Sequence, residues 1–324
     1  MTNKTLRIVY MGTPDFAVET LRRLVEEGYN VVGVVTMPDK AIGRHHEILQ
    51  SSPVKQYATN HGIPVLQPEK LKDESFLDQL SALKADLQVV VAFRMLPEVV
   101  WSMPPLGTFN LHAALLPQYR GAAPINWAVI HGDKETGITT FFLDHDIDTG
   151  RIILQQRVPI LDTDNAGDVH DKLMVDGASL VMQTIDLIAE GKAKAIPQDQ
   201  FLTNEPLRHA PKIFRDNCHL QWKDLTTLQA HNMVRGLSPY PAAWTDIVYP
   251  DGKRCTLKIY RTSCSQQKAP AAEPGTIQTD GKTYLQIALS DGWLQLEELQ
   301  IAGKKRMSVA DFLRGCHLEG CHAE

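Results

Sequence analysis

Short apolar runs alternate with amphipathic stretches through the first half of the chain. Leu6–Met11 predicts a strand, which Gly12-Thr13-Pro14 breaks. Proline at the first turn then opens a helix over Asp15–Glu27. Asn30–Thr36 predicts a second buried strand, Ser52–His61 a helix and Pro64–Leu66 a third short strand. In Leu71–Leu83 the apolar residues Phe76, Leu77, Leu80 and Leu83 recur at helical spacing. Leu87–Phe93 is an almost continuous apolar run, as expected of a strand covered on both faces. Strands follow at Leu106–Leu111, Ile138–Leu143 and Ile152–Ile160, then a long helix over Ala166–Glu190. This alternation predicts an α/β domain with a doubly wound, mostly parallel sheet.

Gly191–His209 is a polar connector without periodicity, and the pattern changes beyond it. One helix, Leu225–Arg235, gives way to short strands and tight turns. Asp246–Tyr249 and Cys255–Arg261 flank Pro250-Asp251-Gly252 as a hairpin. Thr276–Gln278, Tyr284–Leu289 and Leu294–Ile301 are separated by Asp280-Gly281 and Asp291-Gly292. About five short strands in so small a region predict a small β-barrel of the OB type.

Composition narrows the class. With 43% hydrophobic and 22% charged residues among 324, the chain is an ordinary globular protein of two-domain length. No apolar run approaches the roughly 18–20 residues that span a bilayer, and Met1–Lys4 lacks a signal-like stretch. A cytoplasmic location without membrane contact is the expectation. None of the five cysteines lies in the first 217 residues, which fits reduced thiols. Cys316-His317 and Cys321-His322 read as part of a frayed tail rather than as metal ligands. The net charge of −5 hides an asymmetry, because 208–315 holds 15 basic against 10 acidic residues. Lys253, Arg254, Lys258, Arg261 and the run Lys304-Lys305-Arg306 fall on the predicted barrel. A basic barrel on an acidic protein suggests a polyanionic partner.

Candidate chemistry centres on Asn110-Leu111-His112 and on Asp148-Thr149-Gly150, 36 residues beyond the histidine. A dinucleotide site would need G-x-G-x-x-G in the first strand–helix turn. Gly12-Thr13-Pro14-Asp15-Phe16-Ala17 offers one glycine, a proline and a carboxylate, which disfavours that reading. No phosphate loop, nucleophile elbow or metal-ligand cluster is present. On a strand, Asn110 and His112 share a face. An amide can donate to a developing oxyanion, an imidazole can pass protons near neutral pH, and a carboxylate can orient the imidazole and favour its charged form. The set suits acyl-type transfer whose nucleophile comes from the substrate. An isolated N-x-H is more often a turn cap beside a packed histidine.

Three segments decide between these. Phe109–His112, Leu115-Leu116-Pro117-Gln118-Tyr119-Arg120-Gly121-Ala122-Ala123-Pro124 and Asp148-Thr149-Gly150 together resemble the folate-dependent formyltransferases. The resemblance implies a Rossmann-like formyltransferase domain over 1–190 and a catalytic triad of Asn110, His112 and Asp148. It implies 10-formyltetrahydrofolate as co-substrate, held by Phe93, Arg94, Met95, Leu96, Ala114, Leu115, Leu116, Pro117 and Asp144, and no metal. Met11–Ala17, Ser52-Pro53-Val54-Lys55, Arg235-Gly236-Leu237-Ser238-Pro239-Tyr240-Pro241 and Gly303-Lys304-Lys305 resemble the branch whose acceptor is the amine of initiator methionyl-tRNA. That branch implies a linker over 191–208, an OB-like tRNA-binding domain over 209–324, and a monomer. Lys40, Arg44, Lys253, Arg254, Lys304, Lys305 and Arg306 are the tRNA contacts it suggests. Two departures stand out: Ala114 replaces a serine usual before Leu-Leu-Pro, and His45-His46-Glu47 occupies a loop where lysines are common. A formyltransferase for another amine, such as a nucleotide sugar, and a non-catalytic RNA-binding relative are the competing readings.

Overall fold

The computed structural model describes residues 3–42, 48–265 and 272–324. The chain forms two compact units. The first comprises Met1–Gly121, Thr136–Pro159 and His170–Ala210, and the second Ala122–Glu135, Ile160–Val169 and Pro211–Glu324.

The first unit is the α/β domain that the alternating pattern predicts. Its strands are β1 (Ile8–Gly12), β2 (Val31–Val35), β3 (Val65–Leu66), β4 (Leu87–Val91), β5 (Thr108–His112), β6 (Glu135–Phe142) and β7 (Ile152–Pro159). They lie in the order β7-β6-β5-β4-β1-β2-β3. β1 to β5 pair in parallel, while β6 runs antiparallel to β5. β1 and β4 are buried along their whole length, which is why they read as almost continuous apolar runs rather than alternating ones. The chain winds outward from β1 through β2 and β3, then crosses to β4 on the other side. Loops at the carboxyl ends therefore diverge where such sheets accommodate ligands.

The Gly12 turn is a packing device. A Cβ there would lie 2.7 Å from the Ala17 Cβ and 3.0 Å from the Val91 carbonyl. The glycine lets the helix Phe16–Glu26 come close to β1, and the Tyr10 hydroxyl donates to the Ala17 carbonyl at 2.5 Å. Lys40–Ile42 and Ile48–Gln50 form a small antiparallel pair that the sequence pattern does not announce. Its base is held by Asp39, whose carboxylate accepts from Lys55 at 2.6 Å and Gln67 at 2.8 Å. These two donors hold the Asp39 carboxyl below its usual range.

The second unit is an antiparallel barrel with helical additions. Its strands are β8 (Ala243–Val248), β9 (Arg254–Cys264), β10 (Ile277–Thr279), β11 (Leu285–Ala288), β12 (Trp293–Ile301) and β13 (His322–Ala323), ordered β10-β11-β12-β9-β8-β13. A bridge between Thr276 and His322 brings the two ends of that order together, so the sheet is nearly closed. Leu257, Ile259, Leu285, Ile287, Leu294, Leu296 and Leu299 fill the interior. The helices Pro124–Ile130 and Thr227–Leu237 pack on each other, and Gly236 permits their approach: a Cβ there would meet Asn126 and Ile130 backbone at 2.8 Å. Arg235 donates to the Asp164 and Leu161 carbonyls at 2.7 and 2.8 Å.

The frayed tail expected after Gly315 is not what the structure shows. His322 and Ala323 form β13 against β8, Leu318 and Cys321 enter the core, and the Ala323 amide donates to the Gly275 carbonyl. The cysteine that resembled a tail residue is a small buried hydrophobe. Among the described residues, no group of three or more His, Cys, Asp or Glu side chains is placed to hold a metal ion. No described helix is long and apolar enough to cross a membrane.

Candidate active site

β5 ends in the candidate site. Its alternation sends Phe109 and Leu111 into the core and leaves Asn110 and His112 on the other face. Asn110 lies opposite Val90 of β4 and Phe141 of β6, and His112 opposite Thr139. The imidazole is 6% exposed. Its Nε2 lies 2.9 Å from the Tyr119 carbonyl oxygen. A carbonyl only accepts, so Nε2 carries a proton and Nδ1 is the nitrogen free to gain or lose one.

Nδ1 faces the Asp148 carboxylate, with 3.8 Å to Oδ2. That separation is too long for a direct hydrogen bond but close enough for strong electrostatic interaction. The same Oδ2 accepts from the Gly121 amide at 3.0 Å, which anchors the carboxylate. Asp148 and Tyr119 both have left-handed backbone, with φ of 55° and 59°. Non-glycine residues adopt that region at a cost of about 1–3 kcal/mol, and it is sustained where surroundings dictate it. Here Tyr119 aims its carbonyl at His112, and Asp148 aims its carboxylate there.

Two glycines make these turns possible. Gly121 has φ of 127°, and a side chain on it would collide with the Ala210 carbonyl, whose strand His209–Ala210 pairs in parallel with Arg120–Gly121. A side chain on Gly150 would overlap the carbonyl oxygen of Phe142. The stretch 118–121 is further tied down from the connector: the Tyr119 amide donates to the Arg208 carbonyl at 2.7 Å, and the Arg208 amide to Gln118 Oε1 at 2.8 Å.

The residues expected to hold folate fall into two groups. Ala114, Leu116 and Pro117 are buried, and Leu116 packs with Phe141 and Ile152, so their side chains serve the core. Thr139 Oγ1 bonds the Ala114 carbonyl at 2.7 Å, while Gln155 takes the Leu116 carbonyl at 2.7 Å. Leu115 is half-buried. Leu96 faces the core beside Val9, Met11 and Val100. Met95 and Ile147 are instead 66% and 60% exposed, on loops following β4 and β6, and Asp144 is exposed on the second loop. His145 on that loop meets Trp101 edge to face, with ring centroids 5.5 Å apart. Arg94 lies 5.7 Å over the Phe93 ring and donates to the Pro68 and Glu69 carbonyls, but its Nε is buried without a partner. Burial lowers the guanidinium's proton affinity. An orphaned donor beside exposed apolar side chains fits a planar ligand with polar edges, and a pterin is one.

Sequence reasoning singled out the three candidate side chains, Asn110, His112 and Asp148, and missed what holds them. The Tyr119 carbonyl and Gly121 amide are backbone groups, which carry no residue-type signal. Gln198 lies in the featureless connector, yet it bonds the Asp148 and Gly150 carbonyls at 2.8 Å each.

Of the suggested tRNA contacts, Arg44 lies outside the described residues and Lys40 is exposed on its hairpin. In the second unit Arg254 is paired with Glu324 and Asp246. Arg306 donates to Glu298 at 2.7 Å and stacks 4.6 Å above Tyr260. Lys253, Lys304 and Lys305 are exposed. The second unit also holds a feature no pattern revealed: a cleft of about 600 Å³ lined by Lys212, Phe214, Arg215, Tyr240, Trp244 and Lys258, among others. Tyr240 and Phe214 are 82% and 60% exposed, and Arg215 lies 5.3 Å over Trp244. Cations interleaved with accessible aromatic faces suit an unpaired nucleic-acid strand.

Comparison with known proteins gives the family. The formyl transferase family model matches residues 6–185, and the formyl transferase C-terminal domain model matches 212–317. Methionyl-tRNA formyltransferase of Parabacteroides distasonis is 63% identical over 319 residues, covering 97% of each chain. That of Bacteroides fragilis is 60% identical, covering 98% of this chain and 97% of its own. Among solved structures, a sugar 3N-formyl transferase superposes with a TM-score of 0.64 at 20% identity, covering 93% of this chain and 99% of that one, and shares the fold. The chain belongs to the formyl transferase family and, within it, to the methionyl-tRNA formyltransferases.

Proposed function

We propose that this protein transfers the formyl group of 10-formyltetrahydrofolate to the free amine of the methionyl group on initiator tRNA, in the cytoplasm, for translation initiation. The observation that carries the reading is the assembly of His112, Asp148 and the Asn110 face at one sheet edge, in a chain matching methionyl-tRNA formyltransferases along 97% of its length. Bound folate supplies the formyl carbon that the amine attacks. Asn110 donates its side-chain amide to the oxygen on which negative charge develops. His112 keeps Nε2–H on the Tyr119 carbonyl, takes the proton released by the amine at Nδ1, and returns it to the leaving nitrogen. Asp148, anchored by the Gly121 amide, balances the imidazolium charge between those steps. Arg94, Met95 and Ile147 line the side where folate fits. Holding amine and formyl carbon together supplies much of the remaining acceleration.

The acceptor is tested by offering charged initiator tRNA, charged elongator tRNA and a nucleotide-linked amino sugar in parallel. Transfer to methionyl initiator tRNA, well above the other two, is the expected result. Preferential formylation of the amino sugar would replace the acceptor while leaving the chemistry intact.

Docking of tRNA should be strongly salt-dependent. If Lys212, Arg215 and Lys258 each meet one phosphate of an unpaired strand, their share alone weakens binding about 20-fold between roughly 50 and 200 mM salt. Filter binding across that range, on wild type and on Lys212→Glu/Lys258→Glu, checks it: the double variant is expected to bind more weakly and with a shallower slope. An unchanged slope would remove the cleft from the tRNA path.

A further inference from the structure

Gln198 opens a short 3-10 turn, Gln198–Phe201, within the connector. Its side chain is buried and every hydrogen-bonding position of its amide is filled. Nε2 donates to the Asp148 and Gly150 carbonyls, both at 2.8 Å. Oε1 accepts from Arg120 Nε at 3.1 Å and from Nη2 at 2.6 Å. A primary amide offers two donors and two acceptor lone pairs, so all four are used. The alternative orientation of the amide would set its oxygen against two carbonyls and its NH₂ against a guanidinium.

These contacts converge on the turn that carries the catalytic carboxylate. Gln198 grips the carbonyls on either side of Thr149, and Asp148 between β6 and β7 is the residue held in left-handed backbone. Arg120, at the other end of the clamp, neighbours both Tyr119, whose carbonyl takes His112 Nε2, and Gly121, whose amide takes Asp148 Oδ2. One buried side chain therefore ties the segment that orients His112 to the segment that bears Asp148.

We infer that Gln198 is a positioning residue for formyl transfer, a buried clamp that holds the Asp148–Gly150 turn and so sets the spacing between the Asp148 carboxylate and His112 Nδ1. The inference rests on the formyl-transfer reading of this site, not on the identity of the acceptor. It separates from a purely structural role because a clamp acts on turnover and on the order of one turn, whereas a structural amide acts on global stability alone.

Gln198→Glu and Gln198→Met, in the full chain, test it. Glutamate keeps the shape and still accepts from Arg120, but places an oxygen against two carbonyls; methionine keeps the length and removes all four bonds. The readouts are kcat and KM for 10-formyltetrahydrofolate and methionyl-tRNA, and exchange of the Gly121 amide proton followed by NMR. In both variants kcat should fall on the order of 10- to 100-fold, as expected when a catalytic group is misplaced, with KM nearly unchanged. Gly121 exchange should accelerate at least about tenfold, because its acceptor has loosened. If both variants fail to fold, Arg120→Met loosens the same clamp from its half-buried end and should move both readouts in the same direction. Unchanged Gly121 exchange in a folded variant overturns the inference whatever the rate does, and so does unchanged kcat. If wild-type protein itself transfers no formyl group, the functional reading fails separately, and Gly121 exchange alone then decides whether the clamp exists.

Discussion

Replacing His112 by alanine is expected to lower formyl transfer by a factor on the order of 10²–10⁴ without unfolding the chain. The histidine meets both halves of the site, through Nε2 to the Tyr119 carbonyl and through Nδ1 toward Asp148. Alanine removes the proton carrier, and no neighbouring side chain among the described residues replaces it at that position. Asp148→Asn is expected to produce a loss of similar order by a different route. Its amide oxygen still accepts from the Gly121 N–H, so the turn survives, but the charge facing Nδ1 is gone. Steady-state formylation by each purified variant, with circular dichroism as the fold control, checks both. Near-normal turnover in either would withdraw the role assigned to it.

Gly150→Ala is the second large effect, and it acts through the backbone. The added methyl would overlap the Phe142 carbonyl oxygen at the end of β6, so the 148–150 turn or the strand end must move. Overpacking of this kind costs about 1–3 kcal/mol. The displacement falls on the residue two positions from Asp148, where a shift of about 1 Å is enough to lower the rate on the order of 10²-fold. Stability and turnover should therefore drop together, in contrast to Asp148→Asn, where turnover drops alone. Denaturant unfolding and kcat measured on the same preparation distinguish the two. An alanine variant with wild-type stability and rate would mean that the turn relaxes freely and that its geometry is not tightly set.

Much of the fold was legible because its strands are buried on both faces. Ile8–Gly12 lies in an apolar run and Leu87–Val91 in one broken only by the buried Gln88, and the observed strands end within two residues of the expected ones. Ser52 caps the helix Pro53–Asn60 by accepting from the Lys55 amide at 3.0 Å, as its Ser-Pro start suggests. The helix Pro124–Ile130 was not visible: at 7 residues it is too short for periodicity to declare itself. The tail at 316–324 looked frayed because its polar and cysteine-rich composition says nothing of pairing, yet backbone bonds to β8 and Gly275 order it. The same limit applies at the site. Asn110, His112 and Asp148 stand out by chemistry, whereas the Tyr119 carbonyl, the Gly121 amide and Gln198 matter through tertiary placement. Charge counting likewise overstated Arg254, Arg261 and Arg306, which neighbouring carboxylates engage, and overlooked the aromatic cleft around Trp244.

The most direct test is a single-turnover reaction of the purified wild-type chain with 10-formyltetrahydrofolate carrying a labelled formyl group and methionyl initiator tRNA. The label is predicted to appear on the methionyl amine in near-stoichiometric yield, and to stay on folate when His112→Ala replaces the wild type. Tight binding of the tRNA with no label transferred would contradict the account and leave an RNA-binding relative in its place.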